Sequence, residues 1–163
     1  MATTTDVRDP FEVEATTSTG SDIDYETCPA DSFPASVVGV FDVGHERDLK
    51  EPAKWRRDKS IVFMFEVAET RSDGNPFVLV RKFSLSANLV KSHLYVHFIN
   101  PLGKELQPGE SFSVRHLLGK SCLVQVTHDR DGDKTYHRVG SIAKLPRGLA
   151  AYKPRHQPVI WSI

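Results

Sequence analysis

The feature that most constrains this chain is how short its apolar runs are and how regularly turn residues close them. The runs Ser36-Val37-Val38-Gly39-Val40-Phe41-Asp42-Val43, Ile61-Val62-Phe63-Met64-Phe65-Glu66-Val67 and Phe77-Val78-Leu79-Val80-Arg81-Lys82-Phe83-Ser84-Leu85 are rich in β-branched and aromatic residues. Two more follow, Cys122-Leu123-Val124-Gln125-Val126-Thr127-His128 and Lys134-Thr135-Tyr136-His137-Arg138-Val139-Gly140-Ser141-Ile142. Runs of this length and composition read as strands rather than as helices of a bundle. Ser72-Asp73-Gly74-Asn75-Pro76 and Asp131-Gly132 sit where two hairpins need turn residues. The glycine inside the first run marks a bulge or bend. The second run is apolar at both parities, which places it centrally in a sheet. No stretch approaches the roughly 18 to 20 apolar residues of a membrane-spanning helix.

Between the third and fourth strands, Val90, Leu94 and Phe98 recur at intervals of four, so residues 88–100 are expected to form an amphipathic helix capped by Ser86 or Asn88. Leu94, Val96 and Phe98 also alternate as a strand would, which is the competing reading of the same residues. A short helix is expected at 113–118, with Gly119 at its C-terminal end. The order β-β-β-α-β-β is that of the OB-fold, a partly open five-stranded barrel, and the expected class is a mainly β, OB-fold-like domain over residues 34–148. Another small barrel or an α+β sandwich has the same order.

The formal charge of zero conceals an asymmetry. Residues 1–51 hold twelve acids against three bases, so the remainder has a surplus of nine bases. Residues 1–33 are rich in Thr, Ser, Asp and Glu without sustained periodicity, and they read as a disordered acidic tail. Such a tail either keeps the chain soluble or competes with a polyanion for the basic body. Residues 149–163 form a basic, proline-punctuated and finally apolar C-terminal tail, for which packing on the domain is expected ahead of docking to a partner. The first residues lack a basic start followed by an apolar block, so the expected location is the cytoplasm.

Within the body, Lys54, Trp55, Arg56, Arg57 and Lys59 crowd one aromatic ring among four cations in the loop expected between the first two strands. Single-stranded nucleic acid calls for this mixture, because cations meet phosphates while a flat ring stacks a base at about 1–3 kcal/mol. Trp55 could equally plug the end of the barrel. Arg81 and Lys82 on the third strand, Lys120 before the fourth, and Tyr136 with Arg138 on the fifth extend the pattern, the last two sharing one face.

Other motifs fall short. Asp129, Asp131 and Asp133 alternate as in a calcium loop, but Gly140 stands where such a loop has its final glutamate, so they read as a hairpin turn. His93 and His97 face alike without a third ligand, and Cys28 and Cys122 make neither a disulfide framework nor a zinc set. No nucleophile motif or phosphate loop is present, and no cofactor or metal is expected.

Lys54-Trp55-Arg56-Arg57-Asp58-Lys59 leading into Ile61-Val62-Phe63-Met64-Phe65-Glu66, Asp73-Gly74-Asn75-Pro76-Phe77 with Arg81-Lys82-Phe83-Ser84-Leu85, Leu117-Leu118-Gly119-Lys120-Ser121-Cys122, and Lys134-Thr135-Tyr136 running to Leu145-Pro146-Arg147-Gly148 together resemble a family of small phage-encoded proteins. Some of that family are assigned as single-stranded-DNA-binding proteins of replication and recombination modules. The resemblance covers residues 36–148 and implies an OB-like fold and a non-enzymatic role on single-stranded DNA. Its implied partner is single-stranded DNA; replication or recombination proteins met through the tails and a second copy of the chain are further candidate partners. The acidic stretch here is N-terminal, whereas many bacterial single-strand-binding proteins have an acidic C-terminal tail. The rival expectation is a structural or adaptor protein using the barrel for protein contacts. A magnesium-dependent nuclease built on Asp129, Asp131 and Asp133 is a third and weaker one.

Overall fold

The computed structural model describes residues 26–162. The strands are β1 (Ser32–Arg47), β2 (Trp55–Thr70), β3 (Pro76–Leu85), β4 (Ser121–Asp131), β5 (Lys134–Ala143) and β6 (Val159–Ser162). The fold is mainly β, and the five expected strands are all present. The hydrogen-bonded path runs β3-β2-β1-β4-β5, each neighbour antiparallel, while β6 lies parallel to β1. One edge of β1 pairs with β2; the other is shared by β4 along residues 32–36 and β6 along residues 39–42. The sheet is open, because no ladder joins β3 to β5. These two edges still approach one another: Arg81 Nη1 donates to the Gly140 carbonyl at 3.1 Å, and the Phe77 and His137 rings meet edge to face at 6.1 Å.

Alternation decides what is buried. Ile61, Phe63, Phe65 and Val67 on β2 face the core, opposite Val40, Val37 and Ala35 of β1 and Phe83 and Leu79 of β3. The β1 register slips between Val37 and Gly39, the bulge expected from the glycine. A Cβ on Gly39 would lie 2.5 Å from the Phe41 ring, so the absence of a side chain is what lets that ring lie across the strand.

The segment expected to be one helix over 88–100 is two pieces, a 3-10 turn at Leu89–Lys91 and a π-helical turn at Tyr95–Ile99. Ser92 separates them: its backbone is extended, and its hydroxyl donates to the Leu89 carbonyl at 2.6 Å and accepts from the Tyr95 amide at 3.1 Å. A serine side chain that can replace backbone hydrogen bonds breaks a helix where its own geometry is satisfied locally. The spacing of four still holds for burial, since Leu94 and Phe98 are buried while Val96 is exposed. Phe98 closes the core, its ring 4.9 Å from Phe63 and 5.4 Å from Phe65. The second expected helix is a 3-10 turn at Val114–Leu117, and Gly119 follows at φ +77°, a conformation that favours glycine.

The boundaries of the tails differ from expectation. The expected disordered acidic tail lies, for residues 1–25, outside the described residues. Residues 26–33 belong to the domain: Cys28 is in the core, and β1 starts at Ser32 because its first residues pair with β4. The C-terminal segment packs on the domain, adding β6 to the sheet. Both thiols are buried and free; burial pushes Cys28 up to about 11 and Cys122 up to about 12. Among the described residues, no helix is long and apolar enough to cross a membrane.

Candidate nucleic-acid interface

The stretch read as the first loop is mostly strand. β1 continues to Arg47 and β2 begins at Trp55, so residues 48–54 alone form the loop and the rest is a long two-stranded arm. The sequence obscured this because polar, charged residues dominate the arm, and strand pairing there is sustained by backbone hydrogen bonds rather than by burial. Arg47 lies opposite Trp55, and the register slips between His45 and Arg47.

Trp55 does not plug the end of the core. It is 61% exposed, and the Arg47 guanidinium sits 4.6 Å from the ring centroid. A cation over one face of an indole orders the ring and leaves the remaining surface to a ligand.

The surrounding cations are held by acids from the same arm. Lys54 pairs with Glu51, Lys59 Nζ lies 3.4 Å from Asp42, and Arg56 Nη1 lies 3.8 Å from Glu46. Glu46 is a hub: Lys82 Nζ reaches it at 2.9 Å and the Ser60 hydroxyl donates to it at 2.9 Å. Those hydrogen bonds, from Lys82 and then Ser60, hold its carboxyl below the usual range. Exposed pairs of this kind are worth about 0–1 kcal/mol, so an incoming phosphate can take over any of the three lysines or the arginine at little cost. Arg57 has no acidic partner among the described residues.

Arg81 and Lys82 are neighbours on β3 with different surroundings. Lys82 is exposed and turns to Glu46, whereas Arg81 shares the inward row of Val40 and Phe63 and lies 4.7 Å over the Phe83 ring. Both line a cavity of about 440 Å³ beside β3, along with Lys91, His93 and Asp58. Burial lowers the Arg81 pKa.

The remaining expected residues lie elsewhere. Lys120 borders a second, more apolar cavity of about 400 Å³ floored by Ile99, Leu102, Phe112 and Leu117. Tyr136, 49% exposed, and Arg138 share a face of the β4–β5 hairpin, as expected, and Arg138 Nε lies 2.6 Å from Asp129. The structure therefore brings Arg56 and Lys82 together on Glu46 and joins Arg81 and Lys82 around one cavity, while Lys120 and the Tyr136–Arg138 pair stand apart from these clusters. Among the described residues, no group of three or more His, Cys, Asp or Glu could hold a metal ion. The His93 and His97 rings lie 5.2 Å apart as a pair.

Sequence reasoning missed Arg47, Glu46, Lys91 and His93, which acquire meaning only through neighbours distant in the chain. It also missed Glu66. This carboxylate is fully buried and accepts from the Tyr152 hydroxyl (2.7 Å), the amides of Arg155 (2.7 Å) and His156 (2.8 Å), and His156 Nδ1 (2.6 Å). Burial works to raise its pKa, but the amides, the phenol and the imidazole outweigh it, and the net direction is down. A single acid inside an apolar central strand was the available signal. Anchored there, the C-terminal segment carries β6 to β1, so that Val80, Met64, Gly39 and Val159 form one row across four strands and Lys82, Val62, Phe41 and Trp161 the next row on the same face.

No family model matches this chain, and no curated protein matches it.

Proposed function

We propose that this chain is a non-enzymatic single-stranded-DNA-binding protein with an OB-type barrel, acting as an accessory to phage-type replication or recombination in the cytoplasm of the host cell. The barrel assignment is supported by the strand path, in which β3 and β5 run in the same direction and their edges approach through Arg81 and Gly140. The observation that carries the functional reading is Trp55, exposed on the arm, clasped by Arg47 and flanked by Arg56, Arg57 and Lys59. Stacking on the ring and exchange of weak ion pairs for phosphate contacts describe binding that reads little base identity. Tyr136 and Arg138 supply a second stacking and phosphate pair at the other hairpin.

The test is fluorescence anisotropy of a labelled oligothymidine of about 30 nucleotides, longer than the roughly 4–16 nucleotides an OB-fold covers. Binding is expected to weaken steeply with salt and to be lost in the Trp55→Ala, Arg56→Ala, Arg57→Ala variant. Absence of binding at low salt overturns the reading. A second reading, a structural or adaptor protein, is favoured by one observation: Val159, Ile160 and Trp161 of β6 are all exposed, Trp161 by 51%. An interface centred there would respond weakly to salt and be lost in Trp161→Ala.

A further inference from the structure

The cavity beside β3 has a chemistry of its own. β3 ends the hydrogen-bonded path, so no strand pairs with its outer edge, and the returning segment containing Lys91 and His93 leaves a space of about 440 Å³ alongside it. It is lined by Arg81, Lys82, Lys91 and His93, with Ser84 and Ser86, against one acidic residue, Asp58, while the Lys82 ammonium is held by Glu46. The Arg81 guanidinium is oriented by its bond to Gly140 and its seat over Phe83, and among the described residues neither it nor Lys91 has a carboxylate partner. A planar fork held in place is a bidentate partner for phosphate oxygens, and an exposed ammonium and serines on the same lining add further donors for the remaining ones.

We propose that this cavity is a phosphate seat in which Arg81, Lys91 and His93 contact the phosphate oxygens, Ser84 and Ser86 add hydroxyl donors, and Asp58 limits the affinity. That the phosphate belongs to a DNA backbone rests on the reading above; that the cavity takes a phosphate does not. Seated there, one backbone phosphate fixes the strand along the β3 edge.

The experiment titrates the full chain with pyrophosphate, followed by amide chemical shifts, and separately with labelled oligothymidine. Lys91→Gln, an exposed side chain without an ion pair, is expected to weaken pyrophosphate about tenfold. Asp58→Asn is expected to tighten it about threefold, while Asp133→Asn, the same charge change on the β4–β5 turn, leaves it unchanged. On DNA, Lys91→Gln should lower the salt slope by about 1. Equal responses to Asp58→Asn and Asp133→Asn, or no response to Lys91→Gln, overturn the seat. The expected pyrophosphate pattern without oligothymidine binding leaves the seat standing and overturns the DNA reading. Oligothymidine binding that ignores Lys91→Gln, beside pyrophosphate binding that ignores it too, overturns the seat and leaves the DNA reading intact.

Discussion

Glu46 and Glu66 each accept several hydrogen bonds on the same sheet and each has its carboxyl held below the ordinary range, yet they belong to regions built on opposite terms. Glu46 sits on the arm, partly exposed, among side chains that water can replace. Glu66 has no exposure, and two of its four donors are backbone amides of a segment about ninety residues further on. The first arrangement is exchangeable and suits binding; the second is fixed and suits architecture. Their difference lies in desolvation: a buried carboxylate stripped of its donors has no water to fall back on.

The sharpest way to break the comparison is Glu66→Gln, which sets an amide N–H₂ against donors. It is expected to cost about 3–5 kcal/mol in urea unfolding and to release the segment carrying Trp161, seen as a shift in indole fluorescence. The pH dependence has a definite sign. Because the folded carboxyl is depressed, its contribution is complete above the ordinary glutamate value of 4.5 and is lost as pH falls through the lower folded value. The wild type should therefore lose stability over that acid window more steeply than Glu66→Gln. Wild-type and variant curves of the same slope there would assign the anchor to packing alone.

The next effect is on binding. Trp55→Ala should weaken oligothymidine by about 1–3 kcal/mol and leave the unfolding midpoint almost unmoved, since the ring is exposed. Smaller again is Tyr152→Phe, which removes one donor from Glu66 at a cost of about 1.5 kcal/mol, read from urea unfolding. Burial, then the bond to Glu66 and its charge, push this phenol up to about 12, so its titration in the ultraviolet should move down in Glu66→Gln. Glu46→Gln should change stability by less than Tyr152→Phe does, below about 1 kcal/mol. The same variant should tighten oligothymidine binding at low salt by freeing Arg56 and Lys82, and unchanged affinity would separate those cations from the binding surface.

Much of the fold was legible locally. The β-branched runs, the Asp-Gly turns, the bulge at Gly39 and the glycine after Leu118 all report steric preferences of a few adjacent residues. The expected single helix failed for a local reason as well, because Ser92 offers its hydroxyl to both flanking turns. The candidate site was legible only as a composition. Lys54 to Lys59 read as an aromatic among cations, but the acids of Arg56 and Lys59, Glu46 and Asp42, lie across a strand pairing whose register no local pattern specifies.

Local sequence patterns account for the apolar stretches of β1 to β5, for where the chain turns between the hairpin strands and for which parity is buried, since these follow from backbone sterics and from the period of the hydrophobic residues; they account neither for the polar arm nor for β6. The tertiary structure alone decided that Arg81 bridges the β3–β5 gap while Lys82 turns to Glu46, that Lys91 and His93 return beside β3, and that the C-terminal segment is seated on Glu66. Those outcomes depend on register and on contacts between residues far apart in the chain, where the energy of a charge is set by which neighbours replace its water.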